Sequence, residues 1–432
     1  MNQRCLVIAD DLTGGADTGV QFAERDLNTL LISFEKQIKI DFSLYLERDV
    51  LVVSTNSRGL TPEDASQRVS MLLKEYDRAL FPILYKKIDS TLRGNIGYEV
   101  DATLRSANLS LGFMAPSFPE QERTLLGGLL MVRGTPLSLT EASRDAVSPV
   151  KESYVKTLLE NQSRCRIGNI DLIQVASGGE VLKKAIDEAC QQGIQILIFD
   201  AVERRDLAHI AEAAFQSDKT PLFIGSAGLA EEVAKKIAPR ELKKRPFSLH
   251  RNAKPFKHIL IVSGSASKVS HEQLIRAEQT RGIRSFQLDH VFMTGDEAHR
   301  ETLEDHLSDR IGHEIIRGHA ILKTSSERIL PKNPQDPPIH LEIPKSLGRI
   351  TQSVLQRSHL SVQDLILVLL GGDTALSVLD HLGAEGIEIE GEVMKGIVMG
   401  RLTGGRWHGL SMITKAGAFG KEDALERIIE TL

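Results

Sequence analysis

Residues 5–19 read CLVIADDLTGGADTG. The opening run is short and apolar, and two aspartates and a small-residue turn follow it. That order marks a buried first strand feeding a helix that begins near Gly14, not a signal peptide. The turn is not GxGxxG, so a dinucleotide fingerprint is absent. Similar buried runs recur at VLVVST (50–55), PILYKK (82–87), LGFMAPS (111–117), IQILIFD (194–200) and PLFIGS (221–226). Amphipathic stretches such as TPEDASQRVSMLLKEYDRA, GEVLKKAIDEACQQG and LAEEVAKKIA lie between them. Buried runs alternating with helices predict an α/β chain with largely parallel sheets. Ligands of such sheets bind beyond the C-terminal strand ends, and the polar clusters of this chain stand there.

The chain has 432 residues, enough for two or three domains. With 41 % hydrophobic and 26 % charged residues it has the composition of a soluble globular protein. A formal charge of −5 gives no overall basic field for nucleic acid. No apolar run approaches the ~18 residues of a membrane span. Cys5, Cys165 and Cys190 are far apart and form no CxxC or Cys/His cluster, which points to a reducing compartment, the cytoplasm, and assigns no metal ligand. Residues 239–257, PRELKKRPFSLHRNAKPFK, carry three prolines and seven Lys/Arg without apolar periodicity. They are expected to link two α/β domains, 1–238 and 258–432. Beyond them the pattern restarts with HILIVSGSAS (258–267) and LILVLLGGDTALSVLDHLG (365–383), and closes with the helix KEDALERIIETL.

The chemistry differs between the two halves. In the first, Asp10 and Asp11 end a strand, where they can serve as base, metal anchor or hydroxyl acceptor, or cap the following helix. STNSRG (54–59) places Ser57 and Arg58 at a second strand end, and KKIDSTLRGN (86–95) adds Lys87, Asp89, Arg93 and Gly94 at a third. APSFPEQERT (115–124) contributes Gln121 and Arg123 at a fourth. Cations mixed with Asp, Ser and Thr suit a small polyhydroxy acid: cations for its carboxylate, acceptors for its hydroxyls. Lys86 and Lys87 alternate sides of their strand, so one of them faces the pocket. In the second half, SGSAS (263–267), GGDTA (371–375) and KAGAFG (415–420) are Gly-rich turns at strand ends. Glycine admits close backbone approach, and helix N-terminal amides bind phosphate. Neither GxxxxGK[ST] nor GxSxG occurs. A hydroxy-acid half joined to a phosphate half suits phosphoryl transfer.

In order along almost the entire chain, ADDLTGGADTG, STNSRG, YKKIDSTLRGN, APSFPEQERT, GSAGLA, VSGSAS, GGDTA and TKAGAFG resemble the motifs of the four-carbon acid sugar kinases. The resemblance implies an ATP-dependent kinase acting on the terminal hydroxyl of D-threonate, D-erythronate or 3-oxo-tetronate, with Mg2+. The stretch DTGVQFA (17–23) is more similar to threonate kinases than to oxo-tetronate kinases. By the resemblance the N-terminal domain holds the sugar acid through Asp10, Asp11, Ser57, Arg58, Lys87, Asp89, Arg93 and Gly94. Ser263, Ser265, Gly371, Gly372, Asp373, Thr374 and Gly417 hold the nucleotide. Asp11 and Asp89 are the candidate bases, and Lys87 is favoured over Lys86. The family's glycine-proline turn appears here as KGIVMGRL, without its proline, which leaves the contact around Gly396 to Gly400 open. A homodimer is compatible with the sequence; no nucleic-acid or membrane partner is expected. A sugar-acid sensor would need only the first pocket, and a hydrolase or aldolase would use Asp10 and Asp11 with a metal, so nucleotide binding separates these readings.

Overall fold

Every residue of the run Cys5–Ala9 is buried, and it forms strand β1, with a parallel neighbour on each side. Burial on both faces is why the run is continuously apolar rather than alternating. The computed structural model describes residues 3–34, 39–145, 147–238, 255–265, 267–288, 297–324, 339–417 and 419–432. They divide into two units, Met1–Arg245 and Pro246–Leu432, each α/β. Residues 239–254 of the expected linker lie outside the described residues.

In the first unit β1 leads to α1 (Leu12–Ala23), β2 (Thr29–Ser33), β3 (Val50–Ser54), α2 (Pro62–Leu72), β4 (Ile83–Lys87), α3 (Ile96–Ser106) and β5 (Gly112–Ala115). A small antiparallel sheet follows: β6 (Arg123–Leu126), β7 (Leu129–Val132) and β8 (Thr135–Pro136). Then come α4 (Val155–Glu160), β9 (Ile167–Ile170), α5 (Leu172–Ser177), α6 (Gly179–Gln191), β10 (Ile196–Phe199), α7 (Arg204–Gln216), β11 (Leu222–Gly225) and α8 (Ala227–Ile237). The main sheet is parallel in the order β2-β3-β1-β4-β11-β5-β10-β9. The chain leaves β1 toward β2 and leaves β4 toward β5, in opposite directions across the sheet. The gap between β1 and β4 is therefore a topological switch point, where α/β sheets place ligands.

Strand parity sets what each face can do. Leu6, Ile8 and Leu84 pack in one core with Val69 and Leu72 of α2 and Val100 and Leu104 of α3. Lys86 shares parity with Leu84 and points to that side, so Lys87 points to the other.

The second unit contains β12 (His258–Ser263), α9 (Lys268–Arg281), β13 (Arg284–Leu288), α10 (Glu297–Ile315), β14 (His319–Thr324), α11 (Ile339–Ser358), β15 (Leu365–Leu370), α12 (Gly372–Leu382), β16 (Gly386–Met394), β17 (Ile397–Thr403), β18 (Ser411–Lys415) and α13 (Ala424–Thr431). Its strands run β13-β14-β12-β15-β18-β17-β16. The first five are parallel, whereas β17 is antiparallel to both neighbours. Connections leave β12 and β15 in opposite directions, which makes a second switch point. The three Gly-rich turns follow β12, β15 and β18, adjacent parallel strands, so they share one edge of the sheet.

Candidate functional site

In the first unit the loops after β1, β3 and β4 are tied together by charge. Arg58 donates from Nε to Asp10 Oδ2 (2.7 Å) and from Nη2 to Asp10 Oδ1 (3.0 Å) and Asp11 Oδ1 (2.6 Å). Asp10 is 4 % exposed. Burial pushes its carboxyl up, but Arg58, helped by Lys86 and Lys87, holds it below the usual carboxylate range. Thus the Nε–Nη2 edge expected to clamp a substrate carboxylate is already committed, and Arg58 organises two site loops. Gly94, at φ +94°, lets the β4–α3 loop lie against Arg58, whose Cγ would be 3.1 Å from a Cβ there. Asn95 then bridges to the carbonyls of Ser57 and Leu60.

Asp11 is the N-cap of α1, which starts at Leu12 rather than near Gly14. Its carboxylate accepts from Gly14 N (3.1 Å), Thr13 Oγ1 (2.7 Å) and Arg58. The capping and functional uses expected of the aspartate pair therefore meet in one residue, since capping leaves Asp11 part-exposed. Asp89 is held more tightly. It accepts from Thr91 Oγ1 (2.6 Å) and from Arg93 N, Nε and Nη2. Burial raises its pKa, yet Arg93 and Arg58 hold it well below the usual range. Arg93 completes its engagement with Asp145 (3.1 Å).

The two lysines part as their parity requires. Lys86 is fully buried and pairs with Glu99 of α3 at 2.8 Å. Glu99 also accepts from Ser57 Oγ (2.9 Å), which in turn meets Thr55 Oγ1. Ser57 was expected to offer its hydroxyl to the substrate; that hydroxyl is wholly buried and anchors the 55–58 loop instead. Lys87 lies against α1, with Nζ 2.9 Å from where a Gly14 Cβ would be. Among the described residues its ammonium has no hydrogen-bond or ion-pair partner, so it is a cation available to an anionic ligand. A cavity of about 360 Å³ opens beside Arg58 and Gly94. None of Asp10, Asp11, Lys87 or Asp89 lines it, so it neighbours the carboxylate cluster rather than forming it.

In the second unit the three glycine turns converge. Gly264 N donates to Thr374 Oγ1 (3.1 Å), joining the first two, and Gly371 N donates to Lys415 O (3.0 Å), joining the second to the third. A Cβ on Gly417 would lie 2.3 Å from Ser265 Oγ and 3.2 Å from Ser267 Cβ. Ser263 ends β12 just before this junction. Gly371 caps α12 at φ +105° with no side-chain cap bond, and Ser267 starts α9 without one. Asp373 stands exposed in the first turn of α12, and Thr374 ties that turn to the first loop. Two helix starts free of side-chain caps beside glycine loops offer backbone amides of the kind that can cradle phosphate. Gly396, in the β16–β17 turn, packs on the Phe419 ring of the third loop. Among the described residues no three His, Cys, Asp or Glu side chains form a metal cluster.

Lys415 was not singled out from sequence. It is fully buried, and Nζ donates to the carbonyls of Ala416 (3.1 Å), Gly417 (3.3 Å) and Phe419 (2.9 Å), shaping the third turn. Burial brings its pKa from 10.5 to about 8. Below pH 8 the ammonium is charged in both states and the fold bears the full penalty. As pH rises from 8 to 10.5 the unfolded chain binds more protons, so this residue's contribution to stability improves, by up to about 3 kcal/mol. Denaturant titrations should show the wild type gaining on Lys415→Met across that window; a constant difference refutes the shift. Gly417→Val should raise the KM for ATP at least about tenfold, ~1.4 kcal/mol, without weakening sugar-acid binding. Unchanged ATP affinity in the folded variant would remove this loop from the site.

Comparison with known proteins places both halves. Residues 5–233 match the sugar-binding N-terminal domain family and residues 260–425 the nucleotide-binding C-terminal domain family. D-threonate kinase of Salmonella typhimurium is 31% identical, covering 98% of this chain and 96% of its own. D-erythronate kinase of Heliobacterium modesticaldum is also 31% identical, at 97% and 94% coverage. 3-Oxo-tetronate kinase of Brucella melitensis is 24% identical, at 98% and 94%. The crystal structure of Haemophilus influenzae protein HI1011 shares the fold, with a TM-score of 0.70 at 22% identity and 98% coverage of each chain. No described helix is long and apolar enough to cross a membrane.

Proposed function

We propose D-threonate as the substrate of this chain, which belongs to the four-carbon acid sugar kinases and is a carbohydrate kinase. The reaction is transfer of the γ-phosphoryl group of ATP to the terminal hydroxyl, giving D-threonate 4-phosphate, with Mg2+ entering as part of the nucleotide substrate. The observation that carries the reading is the pairing of a cation-rich carboxylate site in one unit with an amide phosphate cradle in the other.

Each residue has a role in that reaction. Lys87 attracts the anionic substrate, because among the described residues its ammonium makes no direct hydrogen bond or ion pair and only adds to the field that keeps Asp10 ionised. Asp10 and Arg58 hold the loops, and Asp89 holds Arg93. Asp11 is the favoured base: a carboxylate clamped by four donors, as Asp89 is, gains little by taking a proton, whereas Asp11 is less engaged and part-exposed. In the second unit the glycine loops hold the nucleotide phosphates. Positioning and charge supply most of the rate in phosphoryl transfer.

The preference for D-threonate rests on the DTGVQFA stretch and on the relatives of that name. A coupled assay of ADP release with D-threonate, D-erythronate, L-threonate and 3-oxo-tetronates tests it. D-threonate should give the highest kcat/KM; a better D-erythronate or 3-oxo-tetronate replaces it. ATP binding without turnover of any of these acids would refute the reading as a tetronate kinase.

A further inference from the structure

We propose that Arg123 is a substrate-binding residue of the sugar-acid site, its Nε and Nη2 edge receiving the substrate's carboxylate. The inference rests on the kinase reading above and adds a residue to that site.

Three arginines stand on the loops that follow the site strands: Arg58, Arg93 and Arg123. Arg58 spends Nε and Nη2 on Asp10 and Asp11. Arg93 spends all three nitrogens on Asp89 and Asp145. Arg123 differs. Its Nη1 donates to the carbonyl and side-chain oxygens of Gln121, within its own turn. Nε is buried with no hydrogen-bond partner, and among the described residues Nη2 has none and no carboxylate pairs with the guanidinium. A buried donor left unpaired costs free energy that a bound acceptor would recover. The open edge has the two-pronged shape that fits a carboxylate.

The turn 118–123 is closed by Phe118 N to Arg123 O (2.8 Å) and Arg123 N to Phe118 O (3.1 Å). Glu122, just before Arg123, adopts φ +58°. Leu92, just before Arg93, adopts φ +56°, and Asn56, two before Arg58, φ +45°. Left-handed backbone at non-glycine residues is disfavoured, and such strain clusters at functional sites. All three arginine loops hold such a residue close to the arginine, a backbone feature that also occurs in turns elsewhere in the chain.

The turn follows β5, separated from β4 only by β11, which ends at Gly225 and passes through Ser226 into the small residues Ala227 and Gly228 that open α8. Ser226 Oγ donates to Ser117 O (2.9 Å), drawing the two loops together. Burial lowers the pKa of Arg123, and the carboxylate that most opposes this is Asp89, so the guanidinium lies within the field of the β4 loop.

Steady-state kinetics on Arg123→Gln and Arg123→Lys, with whichever four-carbon acid turns over best, tests the assignment; an error over D-threonate therefore leaves it intact. Arg123→Gln should raise the KM for the acid about 10- to 100-fold, with kcat and the KM for ATP near wild type. Arg123→Lys should recover part of the loss, which a purely structural role would not predict. Threitol, the polyol lacking the carboxylate, should compete equally weakly against wild type and variant. If Arg123→Lys, which keeps charge and bulk, and Arg123→Gln both retain the wild-type KM, the assignment is wrong. A fall in kcat with KM unchanged also overturns it, by placing the guanidinium on the transferring phosphoryl group.

Discussion

Asp11→Asn is expected to lower kcat by ~10²–10⁴-fold while the KM for the sugar acid stays within about tenfold. The substitution is close to isosteric. An amide oxygen can still cap Gly14 N and receive Arg58, so α1 and the loop should keep their places. What disappears is a carboxylate able to take the proton of the terminal hydroxyl as the phosphoryl group arrives. Asp89→Asn is the necessary companion, because both aspartates end site strands. It should loosen Arg93, which retains Asp145, and should affect KM more than kcat. A normal kcat in Asp11→Asn with a lost kcat in Asp89→Asn would make Asp89 the base. Normal kcat in both would mean that water or the phosphate itself accepts the proton.

Much of this was legible because buried strands and Gly-rich or charged turns have local signatures. Six strands of the first unit stand where the apolar runs lie, and α9, α12 and α13 follow their periodicity. Strand β9 escaped because IGNI has only its two isoleucines buried. The β6–β7 hairpin escaped although Gly127 and Gly128, both at positive φ, are its turn signal. The site residues were legible as types, not as partners. Nothing in STNSRG says that Arg58 is consumed by carboxylates 47 and 48 residues away. Glu99 left a trace: it lies on the helical face of Ile96, Val100 and Thr103, and an acid on an apolar stripe implies a buried partner. Lys415 left none, since KAGAFG reads equally well with its lysine in solvent.

The two units use one topological device for different ligands. Each presents loops at a switch point between parallel strands whose connections diverge. In the first unit those loops carry side-chain charge, largely neutralised internally so that a few cations remain for an acid. In the second they carry little but glycine and hydroxyls, so in the proposed reading the binding falls to backbone amides. A nucleotide offers phosphates, which amides hold without side-chain selectivity, whereas a small hydroxy acid must be recognised by side chains placed one by one.

The loop that bears Arg58 is anchored through Ser57 to a buried ion pair, and breaking that pair should have the largest effect on stability. Lys86→Met is expected to cost ~3–5 kcal/mol. Lys86 and Glu99 are each 1 % exposed and 2.8 Å apart. Burial raises the pKa of Glu99, and Lys86 is the main charge opposing the rise. Without Lys86 the carboxyl moves further up, so its proton is held at higher pH in the fold than in the unfolded chain. Stability then falls as pH climbs through that window, and the variant should be closest to wild type in acid. Lys86→Met/Glu99→Leu should regain much of the loss, since an apolar pair avoids desolvating two charges. It should not regain activity, because Ser57 loses its acceptor and the loop bearing Arg58 loses its anchor. Urea unfolding of the two variants between pH 5 and 8, on the order of the range where carboxylates with raised pKa titrate, measures both effects. A single variant costing under ~1 kcal/mol, the scale of an exposed pair, would show that the pair is not a structural keystone. A double variant with full activity would show that Glu99 does not position the loop through Ser57.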